Sequence, residues 1–182
     1  MIIQVDQHLK LELLTPDHAA VLFELIDKNR DELRVWLSFI DRMQTIEAVE
    51  IFIKYSHQRS LLHQEFAFLI FEDDQPIGRI GVYQINPINQ HGEIGYWLIP
   101  SHEGRGIMRK SCQALIHFCF SNLPINRLEI KCGTENNKSQ AIPEKLNFTK
   151  EGTLREGEYL NNQFIDLYLY SLLKNSTDLL AK

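Results

Sequence analysis

Between Glu93 and Phe118 the chain reads EIGYWLIPSHEGRGIMRKSCQALIHF, and no other stretch restricts the fold so strongly. An apolar run stops at Pro100, a short loop follows from Ser101 to Arg105, and apolar residues then recur at helical spacing. Met108, Cys112, Leu115 and Cys119 stand at i, i+4, i+7 and i+11, which predicts a buried helical stripe running to about Asn122. A helix start leaves several backbone N–H groups without partners and carries the positive end of the helix dipole. Gly104 and Gly106 let the backbone approach a ligand closely and take positive φ. Together these features make a phosphate site, to which Arg105 and Arg109 would add charge-assisted contacts. An ordinary strand-to-helix turn has the same glycines. A dinucleotide fingerprint would need glycine where Arg109 stands, and the Gly-Lys-Ser/Thr ending of a P-loop is missing.

Around this segment the pattern alternates strands and helices. Residues 2 to 14 read as strand with a turn near Asp6 and Gln7. Thr15-Pro16-Asp17 is a helix start, followed by Ala19, Leu22, Phe23 and Ile26 on one apolar face. A short helix containing Trp36 and Leu37 is expected within 28–43, and Thr45 caps another with Ile46, Val49 and Ile53 spaced for burial. Phe66 to Phe71 is apolar on both faces, as a central strand would be. After the turn at Asp73 to Pro76, Ile77 to Ile85 and Glu93 to Ile99 complete an antiparallel meander. Arg127 to Cys132 should lie parallel to Glu93 to Ile99 through a right-handed crossover. A helix near Ser139 to Leu146 and strands at about Thr149 to Arg155 and Gln163 to Leu172 follow, and residues 173–182 form a loosely held tail. This is an α/β (α+β) chain: one domain, 1–182, with a mixed, mostly antiparallel sheet of about seven strands flanked by helices.

Composition narrows the function classes. With 182 residues the chain suits one domain with a substantial core. A formal charge of -5 and a pI near 5.8 argue against a large basic surface, so no nucleic-acid partner is expected. Three cysteines, Cys112, Cys119 and Cys132, are an odd number without metal-ligand spacing, which points to a reducing cytoplasm and no metal. No apolar run approaches the roughly 18 residues of a spanning helix, so a soluble protein with no membrane partner is expected.

The loop and its flanks resemble a known family. Glu103-Gly104-Arg105-Gly106-Ile107-Met108 is similar to motif A of the GNAT acetyltransferases, Q/R-x-x-G-x-G/A, with its central glycine at Gly106. Glu103 departs from Q/R and Met108 from G/A. GYWLIP (Gly95 to Pro100) precedes it as in the family. TENNKSQAIPEKLNF (Thr134 to Phe148) resembles the N-x-x-S…EKLGF segment: Asn136, Ser139, Glu144, Lys145, Leu146 and Phe148 fit, while Asn147 stands where glycine is usual. The ending from Gly152 to Leu173 and the early ELRVWLSFID (Glu32 to Asp41) resemble the ribosomal-protein N-terminal acetyltransferases of the RimJ/RimL type. The resemblance spans nearly the whole chain in the right order.

That resemblance implies a GNAT fold splayed at its two central parallel strands and acetyl-CoA as cosubstrate. It implies that Trp97, Leu98 and Ile99 offer main-chain groups to the pantetheine arm, one of them in an oxyanion-hole role. The amides of Gly104 to Arg109, with Glu103 at the edge, would hold the pyrophosphate, and Asn136 would bond the arm. The family's tyrosine acid is replaced here by Pro143, so Ser139 is the candidate proton donor to the leaving thiolate; the alternative is a helix cap. Glu93 shares a strand face with Gly95, Trp97 and Ile99, which makes it the leading candidate base; the alternative is a solvated acid at a strand start. Glu158 and Tyr159, in the loop before the last strand, are further candidates. Trp36 and Leu37 fall where the family lines its acceptor pocket, though simple packing accounts for them equally. The acceptor implied is a primary amine, foremost a ribosomal-protein N-terminus, and the resemblance is compatible with a homodimer. A small-molecule N-acetyltransferase and a non-catalytic acetyl-CoA-binding module are the rival readings.

Overall fold

The computed structural model describes residues 1–179. The strands are β1 (Ile2–Gln4), β2 (Leu9–Leu13), β3 (Phe66–Glu72), β4 (Gln75–Asn86), β5 (His91–Leu98), β6 (Arg127–Gly133), β7 (Thr149–Leu160) and β8 (Gln163–Leu173). The helices are α1 (Ala19–Lys28), α2 (Arg30–Leu33), α3 (Ile46–Leu61), α4 (Ile107–Asn122) and α5 (Asn137–Lys145). All eight strands form one sheet in the order β1-β2-β3-β4-β5-β6-β8-β7. Neighbours are antiparallel except β5 and β6, which the α4 crossover makes parallel.

The expected count of about seven strands becomes eight because the turn at Asp6 and Gln7 divides the first one into a hairpin. Asp6 closes that turn, its Oδ1 accepting from the His8 and Leu9 amides at 2.9 and 3.0 Å. The short helix α2 ends at Leu33, before Trp36, which sits in a turn, and Leu37, which follows that turn, so neither is in a helix. The last hairpin is longer than expected: β7 runs to Leu160, so Glu158 and Tyr159 belong to a strand and not to a loop. Asp166 explains how so long a strand bends. Its Oδ1 accepts from the Glu156 amide at 2.7 Å and pins the bulge between Leu154 and Glu158. In the expected tail, Leu173 ends β8 and Lys174–Leu179 form a 3-10 turn; residues 180–182 lie outside the described residues.

A core lies on each face of the sheet. On one face α4 and α5 bury Cys112, Leu115, Ile116 and Cys119 against Phe68, Ile80, Val82, Ile94, Leu128 and Ile130. On the other, α1, α3 and the 34–43 loop bury Leu22, Ile26, Ile40, Val49 and Ile53 against Ala67, Leu69 and Trp97. The doubly apolar β3 needs both covers. Thr45 starts α3 by accepting from the Ala48 amide at 3.3 Å. No helix among the described residues is long and apolar enough to cross a membrane.

Phe68 is fully buried and meets Phe118 edge to face, with centroids 5.9 Å apart. Phe68→Ala should lower the unfolding free energy by about 3–5 kcal/mol in urea titration. A loss under about 1 kcal/mol would contradict this account of the core.

Candidate active site

The site begins where two strands part. β5 and β6 pair only at His91–Arg127, Gly92–Leu128 and Glu93–Glu129. Beyond these positions β6 stays paired with β8 and β5 with β4, so each strand turns an unpaired edge to the opening between them. Which main-chain groups line the opening follows from strand alternation. The Ile99 amide donates to the Ile77 carbonyl at 2.9 Å. Alternation then commits Trp97 to β4 as well, and leaves the amides of Tyr96 and Leu98 facing the gap. Of the expected trio, Leu98 therefore has its main chain free, whereas the Ile99 N–H is taken, and Tyr96 is a residue that the sequence reading passed over.

The mouth of the gap is the start of α4. Gly104 and Gly106 have φ of 73° and 78°, the left-handed conformation that favours glycine. Gly106 is the N-cap of α4, and a Cβ built on either glycine would meet nothing within 4 Å. The loop therefore presents bare backbone to open space at a helix N-terminus, which fits a phosphate group. The side chains of Ile107 and Met108 point into the core, so these residues can contribute only amides there. Arg105 is committed elsewhere: its guanidinium makes two 2.8 Å bonds to the Glu72 carboxylate at the end of β3. Arg109 is exposed and makes no ion pair among the described residues. Glu103 pairs with Lys138 in the first turn of α5, which ties the loop to the far side of the mouth.

Inside the gap three side chains meet. Tyr96 of β5 donates its hydroxyl to the Ser139 carbonyl at 2.9 Å. The Ser139 hydroxyl lies 3.2 Å from the Cys132 sulfur and 3.4 Å from the Tyr96 oxygen. Burial pushes the Tyr96 pKa well above its ordinary value and also raises that of Cys132. Both groups are therefore neutral donors at physiological pH. Ser139 is not the cap of α5. That role belongs to Asn136, whose Oδ1 accepts from the Ser139 amide at 3.1 Å. Asn147 takes φ +58°, which accounts for glycine being usual at that position.

On the opposite face, Glu93 stands where the strands part, and its carboxylate accepts from the Lys131 ammonium of β6 at 2.6 Å. An acceptor amine must compete with Lys131 for this acid. Trp36 lies over the end of β6, its ring 3.2 Å from where a Gly133 Cβ would be. Leu37 packs into the α1–α3 core. Glu158 accepts from Ser38 at 3.1 Å and Asn161 donates to the Val35 carbonyl at 3.2 Å, so the hairpin tip is fastened to the Trp36 loop. Tyr159 is exposed on that tip and meets Phe164 edge to face. No group of three His, Cys, Asp or Glu suited to a metal ion occurs among the described residues.

This arrangement has counterparts among known proteins. The family model for the acetyltransferase (GNAT) domain matches residues 8–149. The ribosomal-protein-serine acetyltransferase of Escherichia coli (strain K12) is 35% identical over 177 residues, covering 96% of this chain and 97% of that one. A RimL ribosomal L7/L12 α-N-protein acetyltransferase, solved in complex with coenzyme A, superposes with a TM-score of 0.93 at 30% identity, covering 97% of this chain and 99% of that one. A crystal structure from Salmonella typhimurium, of an acetyltransferase that modifies the N-terminal serine of ribosomal protein L7/L12, has a TM-score of 0.87 at 32% identity, covering 95% and 99%.

Because Asn136 caps the helix that carries Ser139, Asn136→Ala should cost about 1 kcal/mol of stability, while Asn136→Asp, which also caps, should restore it. Urea unfolding of the two variants checks this; equal losses in both would remove the capping role.

Proposed function

The chain belongs to the GNAT acetyltransferase family and is an N-acetyltransferase; on that premise we propose that it carries an acetyl group from acetyl-CoA to a protein N-terminal α-amine by direct attack. The observation that carries this reading is the parted β5–β6 pair, with the bare glycine amides of α4 at its mouth and the Ser139 hydroxyl within it. Relatives named for ribosomal-protein N-termini match nearly the full chain, which supports a polypeptide acceptor over a small molecule. The three free cysteines suit a cytoplasmic setting.

Acetyl-CoA supplies an activated acyl group on a thiol leaving group. The amides of Gly106 to Arg109 hold the pyrophosphate, with Arg109, which has no ion pair among the described residues, beside them. The free amides of Tyr96 and Leu98 hold the arm and polarise the thioester carbonyl. Asn136 keeps its side-chain amide nitrogen for the arm while its oxygen caps α5. Ser139 Oγ donates a hydrogen bond to the departing thiolate and passes it a proton that solvent returns to the oxygen, and Tyr96 fixes the first turn of α5, which carries Ser139. The Cys132 thiol, kept protonated by burial, is no nucleophile, which leaves the amine to attack directly. Glu93 receives the amine proton, with Lys131 holding its carboxylate in place. Trp36, Leu37 and Tyr159 form the acceptor wall. Holding both substrates in one gap contributes much of the acceleration.

Purified protein given acetyl-CoA and peptides beginning with serine or alanine should release free coenzyme A, read as thiol. If peptides with every N-terminal residue fail while small amines react, the polypeptide acceptor is wrong. Gly106→Glu places a carboxylate and a left-handed-φ strain in the cradle, and acetyl-CoA binding by calorimetry should be lost; unchanged affinity would remove the cradle assignment. Ser139→Ala should lower kcat about 100-fold while changing acetyl-CoA affinity far less. Equal losses in both would make Ser139 a cofactor ligand and not an acid.

A further inference from the structure

The acceptor face of the sheet holds two buried donors that the reaction above does not use. Arg79 of β4 and Trp97 of β5 are directly paired across the two strands, so their side chains share that face. Arg79 is 7% exposed and Trp97 8%. The Arg79 Nε and the Trp97 indole N–H are buried without a hydrogen-bond acceptor among the described residues. The guanidinium lies over the rings of Phe52 and Tyr83, 4.4 and 5.5 Å from their centroids. The Tyr83 hydroxyl is its hydrogen-bond neighbour, but burial raises the Tyr83 pKa and keeps that group uncharged. Glu65, the acid whose field also reaches Tyr83, is committed to Ser56 at 2.6 Å and Arg59 at 2.9 Å. The Arg79 charge is therefore cushioned by two aromatic faces and neutralised by no carboxylate among the described residues. A buried charge without a counterion is among the most costly groups a chain can fold around. A donor left without an acceptor adds to that cost.

Position says what would complete it. Glu93 and Trp97 stand on one face of β5, four residues or about 13 Å apart. Between them the paired Gly81 and Gly95 leave the floor bare except for the Tyr83 ring laid across it. The floor thus has an acid where the strands part and a cation at the other end. An acceptor whose amine sits at the acid end brings its next few residues towards Arg79, since about four extended residues span that distance. We propose that the Arg79 guanidinium and the Trp97 indole N–H form an acceptor subsite for a carboxylate side chain within the first four residues of the polypeptide being acetylated. This rests on the polypeptide-acceptor reading above. It makes acidity near the N-terminus a specificity determinant that the transfer chemistry itself does not require.

The test uses the full chain, acetyl-CoA and twelve-residue peptides that begin with serine and carry an amidated C-terminus. Asp is compared with Asn at positions two, three and four, and Asp at position nine controls for net charge. One of the early Asp positions should raise kcat/KM at least about tenfold over its Asn partner, as a charge-assisted bond would. Arg79→Met should bring that ratio to about one, Arg79→Lys should keep part of it, and Trp97→Phe should reduce it. Arg79→Met should also unfold at the same temperature or higher, because a burdensome charge is gone. Equal rates on Asp and Asn peptides would overturn this proposal alone, as would a preference that survives in Arg79→Met. A clear fall in melting temperature would mean that the guanidinium is a core strut with no need of a ligand. Failure of every peptide while small amines turn over would overturn the polypeptide reading and the subsite together.

Discussion

The parting of β5 from β6 is the constraint on which the rest of this structure depends. A sheet interior normally satisfies every main-chain N–H and C=O through its ladder. Here the ladder between two central strands stops after three registered positions, and an edge of each strand is left open in the middle of the molecule. An open edge of this kind invites pairing with another extended chain. Within one molecule it also makes a slot whose donors are already aimed and rigid. Tyr96 and Leu98 line it from β5 while the antiparallel neighbours β4 and β8 hold the two walls.

Several charged contacts surround that slot, and two of them cross it. Lys131 reaches across to Glu93 where the ladder ends, and Lys138 reaches across to Glu103 at the mouth. Arg127 holds Glu129 and Glu151, which keeps the strand ends β6 and β7 together below the opening. Arg105 anchors the glycine loop to Glu72 on β3. These exposed or half-exposed pairs contribute little stability individually. Their role is geometric: Glu103–Lys138 joins the loop that starts α4 to the helix α5, and Lys131–Glu93 joins the two strands where they part.

The two faces of the sheet divide the chemistry. The α4–α5 face brings the glycine amides and the Ser139, Tyr96 and Cys132 cluster to the gap. The α1–α3 face brings Glu93 and Trp36 to it and carries the Arg79–Trp97 pair on the neighbouring strands. The two faces thus offer one side of the gap for a cosubstrate and the other for an acceptor.

Local pattern was enough for much of this. The glycine loop, the stripe of α4, the capping residues Thr15 and Thr45, and the turns at Asp6 and Asp73 were legible because each depends on neighbours a few residues away. So were the parallel crossover and the resemblance of the motifs around Gly106 and Ser139. What depended on distant partners was not legible. Whether Arg105 faced the ligand or Glu72 was decided by the approach of β3, and whether Ile99 or Tyr96 offered its amide was decided by the register with β4. That Lys131 holds Glu93, and that Arg79 lies buried beside Trp97 without a counterion among the described residues, follow from packing between segments far apart in the chain. The amino-acid order determined the elements and the chemistry available to them. Only the tertiary structure decided which groups were already engaged and which were left free, because hydrogen bonds and ion pairs are exclusive and their partners are set by contact in space.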